Sequence, residues 1–267
     1  MEIIGYLLAA IVGISLGLIG SGGSILTVPI LVYVMGINPI MATAYSLFIV
    51  GTTALVGGVQ SAIQKNVDFK TVLIFGVPSI AAVYATRMWL VPLLPQELFT
   101  IGSFVVTKPI ALMLLLAVVM ILASVSMIRK GKGNVSVDEI KPLKYNYPLI
   151  LVEGTIVGIL TGLVGAGGGF LIIPALVLLA RMPIKLAVGT SLFIIAAKSL
   201  IGFIGDIQGD EIINWKLLSM FTVFAIIGIF LGIVLSKRIS SDKLKASFGW
   251  FVLVMGVYII IKEIFLR

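Results

Sequence analysis

The chain alternates long apolar stretches with short polar breaks. Between Ile3 and Gln64 no residue is charged, a run of 62. A membrane-crossing helix takes about 20 apolar residues, so this run alone has the length for about three passages. Turn signals and charges divide the sequence into eight apolar stretches, near 3–35, 40–63, 71–95, 105–128, 147–180, 184–205, 215–235 and 246–265. The first and fifth are the longest, and a glycine cluster interrupts each at its centre. A helical glycine costs about 1 kcal/mol relative to alanine. The clusters Gly20-Ser21-Gly22-Gly23 and Gly165-Ala166-Gly167-Gly168-Gly169 therefore predict two half-helices joined by a turn. Non-helical backbone at membrane depth is tolerated only where protein or a water-filled cavity surrounds it.

The two halves of the chain repeat each other. A shift of 145 residues lays the segment from Gly13 on the segment from Gly158, with 16 identities in 37 columns. Gly17, Gly20, Gly22, Gly23 and Pro29 fall on Gly162, Gly165, Gly167, Gly168 and Pro174. Shared apolar composition would scatter Leu and Ile matches; matched glycines and prolines need a duplication. The expected organisation is a first transmembrane repeat over 1–128, a cytoplasmic linker over 129–148 and a second repeat over 149–267.

Composition fixes the solvent. Of 267 residues 60% are hydrophobic and only 11% charged, against roughly 25% charged in a soluble domain. The fold class is an all-α polytopic membrane protein with the lipid bilayer as its partner. The first residues lack the basic start of a signal peptide, so the N-terminus is expected to be retained. There are no cysteines and no histidines. That removes thiol nucleophiles, His-based triads and the usual metal ligands, and no cofactor or enzymatic activity is expected. GSGGS lacks the Lys-Ser/Thr of a phosphate-binding loop, and the linker is too short for a nucleotide-binding domain.

The net charge of +8 reflects basic cytoplasmic loops rather than a nucleic-acid partner. If the first and fifth stretches return to the side they start from, each half crosses an odd number of times and the repeats are inverted. Thirteen basic residues then lie inside against five outside, Arg87, Lys108, Lys216, Lys262 and Arg267, with Lys198 in the membrane. Single crossings reduce the tally to ten against eight. The positive-inside rule favours inverted repeats.

Inverted repeats with broken helices are a transporter layout, with substrate at the midplane where the repeats meet. The half-helices beginning near Ser24 and Gly169 point amide N–H groups and positive dipole ends at their tips, and such ends favour anions. Candidate substrate residues are Gly20, Ser21, Gly22, Gly23, Ser24, Gly165, Ala166, Gly167, Gly168 and Gly169. The competing reading is that these glycines only let helices pack closely. Lys198, fourteen positions beyond Ile184, is a candidate countercharge for an anion; alternatively it snorkels or pairs with Asp206 or Glu153. Ser46 and Ser191, beside Tyr45 and Thr190, offer hydroxyls to a ligand or to helix carbonyls. Asp206, Asp210 and Glu211 read as a solvated loop.

These residues resemble the TauE/SafE family of sulfite exporters over essentially the whole chain. The resemblance rests on the paired glycine clusters with downstream prolines, the Thr43-Ala44-Tyr45-Ser46-Leu47-Phe48 and Gly189-Thr190-Ser191-Leu192-Phe193 segments, and the basic linker. It implies a transporter of a bacterial or archaeal cytoplasmic membrane that moves small sulfur-containing anions, such as sulfite, sulfonates or thiosulfate, usually outward. Lys198 and the insertion-like segment 90–106 depart from the family pattern. The alternative to a carrier is an anion channel with the same donors lining a pore, and a homodimer is compatible with either.

Overall fold

The computed structural model describes residues 2–101, 104–128, 147–178, 182–207, 213–236 and 241–265. Helix α1 (Glu2–Ile19) runs into a 3-10 helix, Gly20–Leu26, then α2 (Thr27–Pro29) and a π-helical turn, Ile30–Val34. Next come α3 (Pro39–Ile63) and α4 (Phe69–Ala85), which continues through a π-helical turn, Thr86–Leu90, into α5 (Val91–Leu93). A hairpin of β1 (Glu97–Ile101) and β2 (Phe104–Thr107) precedes α6 (Lys108–Ile128). The second half holds α7 (Tyr147–Val164), α8 (Gly169–Leu178), α9 (Ile184–Ile207), α10 (Trp215–Ser236) and α11 (Ser241–Phe265). The protein is an all-α polytopic membrane protein: among the described residues six helices are long and apolar enough to cross a bilayer. Exposed Leu73, Leu122, Val223 and Val254 stand on their outer faces, as a hydrocarbon solvent requires.

Where the eight apolar stretches begin and end is set by local chemistry. Asn38 caps α3, its side chain accepting from the Ile40 amide at 2.9 Å with Pro39 in the first turn. Asp68 caps α4 by accepting from the Lys70 and Thr71 amides, and Asn214 caps α10 through the Leu217 amide at 3.1 Å. Each satisfies amides that a helix start leaves without an acceptor. The segment 90–106 leads into the one pair of strands among the described residues: β1 and β2 pair antiparallel from Ile101 opposite Phe104, with an irregularity between Glu97 and Phe99. Most of the linker, and Asp210 and Glu211, lie outside the described residues.

Both long stretches turn back on themselves. After Ile19 the chain reverses, so that a β-carbon on Gly5 would collide with Met35 and one on Gly23 with Ser15 and Leu16. In the second half Gly168 lies against Thr161 and Val157 of the preceding helix. The first reversal is tighter than an open loop, because Gly20–Leu26 stays helical in 3-10 form. The expected half-helix start near Ser24 is thus replaced by a continuous turn whose amides bond along the chain. The second matches its expectation, α8 starting at Gly169.

Helix α1 packs chiefly on α10 and α4 on α7, while α3 pairs with α9 and α6 with α11. Lipid gives no hydrophobic drive between helices, so small residues that let backbones approach carry the packing. At the α1–α10 contact, a β-carbon on Gly13 would meet Ala225 O, one on Gly17 Ile229 O, one on Gly228 Ala10 O and one on Gly232 Ile14 O. Gly158 lies close to Ser79 and Ala82 of α4, and Gly162 to Thr86 in the π-helical turn that follows it. Close packing is therefore what Gly13, Gly17, Gly158 and Gly162 do. Gly228→Leu should force α1 and α10 apart and destabilise the fold by about 1–3 kcal/mol or more. Melting of the purified protein in detergent checks it, and an unchanged melting temperature would mean the contact is not tight.

Candidate functional site

The second tip is an open turn. Gly165, Gly167 and Gly168 have φ of +73°, +66° and +65°, the left-handed region that glycine enters without steric cost. No β-carbon would fit at Gly165, whose place is filled by the backbone and side chain of Thr43 on α3. Helix α8 follows immediately: the Leu171 and Ile172 amides bond Gly168 O at 3.1 and 3.2 Å, and the amides before them have no intrahelical acceptor. The positive end of its dipole therefore points into the turn.

Lys198 closes on this tip. It is fully buried, at 0% exposure, and Nζ donates to Thr161 Oγ1 at 2.9 Å. A β-carbon on Gly168 would touch Nζ, so the ammonium lies directly against the glycine turn. Lys198 pairs with neither Asp206 nor Glu153: among the described residues Asp206 pairs with Arg87, and Nζ has Thr161 as its partner. An ammonium has three donors, and Thr161 takes one. A buried lysine beside a helix N-terminus, without an acidic partner among the described residues, places positive charge at the second tip.

The first tip meets the second. Ser24 Oγ donates to Ala166 O, and Gly167 lies against the Ser24 side chain and Val50. Ser24, Gly23 and Ala166 are all buried. Gly20, with φ of +73°, sits against Val188 of α9 much as Gly165 sits against Thr43 of α3. Ser21 and Gly22 lie in the 3-10 turn between them.

Helices α3 and α9 wall the contact. Thr43 touches Gly165 and Val50 touches Gly167. Ser46 stands one turn from each on the same helical face, buried, its Oγ without a hydrogen-bond partner. Ser191 occupies the matching place on α9, and its hydroxyl bonds Val188 O at 2.8 Å. The neighbouring hydroxyls have other tasks. Tyr45 Oη accepts from the Asn214 amide at 2.7 Å, and Thr190 Oγ1 accepts from the Asp68 amide at 3.0 Å. Each ties one half to the helix cap that opens the third stretch of the other half.

A family model described as sulfite exporter TauE/SafE matches residues 6–262. The chain belongs to the TauE/SafE family. A probable membrane transporter protein of Xylella fastidiosa is 31% identical over 94% of this chain and 91% of its own length. The probable membrane transporter protein YunE of Bacillus subtilis is 29% identical, covering 97% of this chain and 96% of its own. A third, from Methanocaldococcus jannaschii, is 26% identical over 94% and 92%. No solved structure matches the chain. With six membrane-length apolar helices among its described residues, this TauE/SafE chain is a multi-pass membrane transporter.

Two charged residues of the TauE/SafE chain sit where sequence reasoning did not put them. Arg87 counts there as an outside loop residue, yet it is 2% exposed inside the apolar helix 69–93. Asp206, read as part of a solvated loop, is the last turn of α9 and faces Arg87, Nη1 to Oδ1 at 3.3 Å. The opposite charges face each other across two helices, which offsets part of the cost of leaving water. The only sequence signal was a charge within apolar segments at 87 and at 206. Nothing in the order of residues tells that the two face each other.

Proposed function

We propose that this protein is a secondary transporter that carries small sulfur-containing anions (sulfite, sulfonate or thiosulfate) outward across a prokaryotic cytoplasmic membrane. The carrying observation is the Lys198 ammonium, buried against Gly168 at the start of α8. A cation and a helix N-terminus at one point favour an anion over a neutral or cationic solute of the same size. The unpartnered Ser46 hydroxyl on the facing helix supports an oxyanion, which accepts such donors. The choice of sulfur follows the family's description.

Access alternates as one repeat moves against the other around the joined tips. The repeats 1–128 and 149–267 run inverted about the linker 129–148 on the cytoplasmic side. The return of Met35 to Gly5 supports this, as does the bond from Tyr33 Oη to Glu263 Oε1 at 2.8 Å. In the inverted arrangement Tyr33, near the end of the first hairpin, and Glu263, near the end of α11, share the outer side. With single crossings they would be on opposite sides. Removing buried Arg87 from the outer tally leaves thirteen basic residues inside against four outside, and strengthens the same orientation.

Labelled sulfite in proteoliposomes tests the reading, with sulfonate, thiosulfate, phosphate and acetate as competitors. Saturable movement blocked by the sulfur oxyanions is the expected result. Non-saturating flux at channel rates would replace the carrier with a pore, and no movement of any sulfur anion would remove the substrate class.

A further inference from the structure

The guanidinium of Arg87 is incompletely used. Nη1 donates to Thr43 Oγ1 at 3.0 Å and reaches Asp206 Oδ1 at 3.3 Å. Nε and Nη2 are buried without a partner, and so is Asp206 Oδ2. A carboxylate paired with an arginine frequently takes the two-bond fork. Here a single oxygen meets a single nitrogen. The edge left over, Nε with Nη2, is the side-on pair of parallel donors that matches two oxygens of one oxyanion. Leaving such donors unpaired in a membrane interior is expensive.

The position of this edge is specific. Thr43, which holds Nη1, is also the residue on which Gly165 of the second tip packs. Asp206 lies eight residues beyond Lys198 on α9, about 12 Å along the helix axis. Gly205, with no side chain, lets α9 close on the Arg87 stem. The second tip is thus flanked by two buried cations, Lys198 at Gly168 and Arg87 through Thr43 at Gly165.

We propose that Arg87 is a second anion-binding residue, which takes an oxyanion side-on through Nε and Nη2 on its way between Lys198 and the outer end of α9. Asp206 competes for the same guanidinium and keeps the hold weak enough for release. The proposal rests on the anion-carrier reading and adds a second station to it.

The test uses purified full-length protein, with sulfite and acetate as probes. Two quantities are read: the anion-dependent rise in melting temperature in detergent and the half-saturation concentration for sulfite transport in proteoliposomes. Asp206→Asn removes the competitor and should tighten anion binding roughly tenfold. Arg87→Lys keeps the charge without the fork and should weaken it roughly tenfold or more. The double variant Arg87→Gln/Asp206→Asn should bind as poorly as Arg87→Gln. A purely structural ion pair gives the opposite pattern, since the neutral double variant recovers wild-type binding and Asp206→Asn weakens it; that result overturns the proposal. So does the absence of anion-dependent stabilisation in wild type and Asp206→Asn alike. If acetate follows the Arg87 pattern while no sulfite is moved, the anion station stands and the sulfur reading fails.

Discussion

Lys198→Met should lower sulfite transport about ten- to hundredfold while the protein stays folded and melts no lower than wild type. The transport loss follows from what the ammonium touches. A hydrogen bond to a charged group contributes about 1.5–3 kcal/mol, and each 1.4 kcal/mol is about tenfold. Nζ lies against Gly168, where an anion held by the α8 amides would meet it. The stability claim follows from the same burial. A fully buried ammonium bonded to one neutral hydroxyl carries a desolvation cost that its single partner does not repay, and methionine fills a similar volume without it. Thr161→Val separates function from scaffolding: if Lys198 matters only by holding Thr161, that change copies the loss. Transport near wild type in Thr161→Val with loss in Lys198→Met is expected, in one proteoliposome assay. Wild-type transport in Lys198→Met would remove the countercharge from the site.

Much of this architecture was legible in the order of residues, and the reason is the bilayer. A hydrocarbon solvent imposes one length and one polarity on every crossing, so 40–63 in the sequence becomes Pro39–Ile63 and 215–235 becomes Trp215–Ser236. Glycine clusters were equally readable at the second tip, where three positive φ values explain three glycines. At the first tip the same letters adopt a 3-10 turn, with only Gly20 in the left-handed region. There the neighbours decide: Gly23 must clear Ser15 and Leu16, a packing demand that leaves the same residue as a turn would.

Side-chain partners across halves were not legible. Tyr45 and Thr190 stand beside Ser46 and Ser191 in the chain, yet their hydroxyls serve Asn214 and Asp68, because neighbouring positions on a helix point about 100° apart. Arg87 and Asp206 are 119 residues apart, and a lone charge in an apolar run announces a partner without naming it.

Gly167→Val should abolish sulfite transport and lower stability by about 2–4 kcal/mol, through two separable effects. The first is backbone strain. Gly167 has φ of +66°, which costs a residue with a β-carbon about 1–2 kcal/mol, and a β-branched one the most. The second is space. A β-carbon at 167 would stand 2.7 Å from Val50 Cγ1 and about as close to the Ser24 side chain, at 3.2 and 3.3 Å to Oγ and Cβ. The added atoms must push the first tip away and break the Ser24–Ala166 bond that joins the two. Function suffers more than the fold, because α3 packs chiefly on α9, α4 on α7 and α10 on α1, whereas a site made of two touching tips has this contact at its centre. Gly167→Ala keeps the strain but adds one carbon, so it should be intermediate. Pairing it with Val50→Ala clears the nearest atom, and transport should recover beyond Gly167→Ala alone while the strain remains in the melting temperature. Equal transport in the single and double variants would show that contact between the tips does not limit the cycle. The site would then have to be sought along Lys198 and α9 rather than between the hairpins.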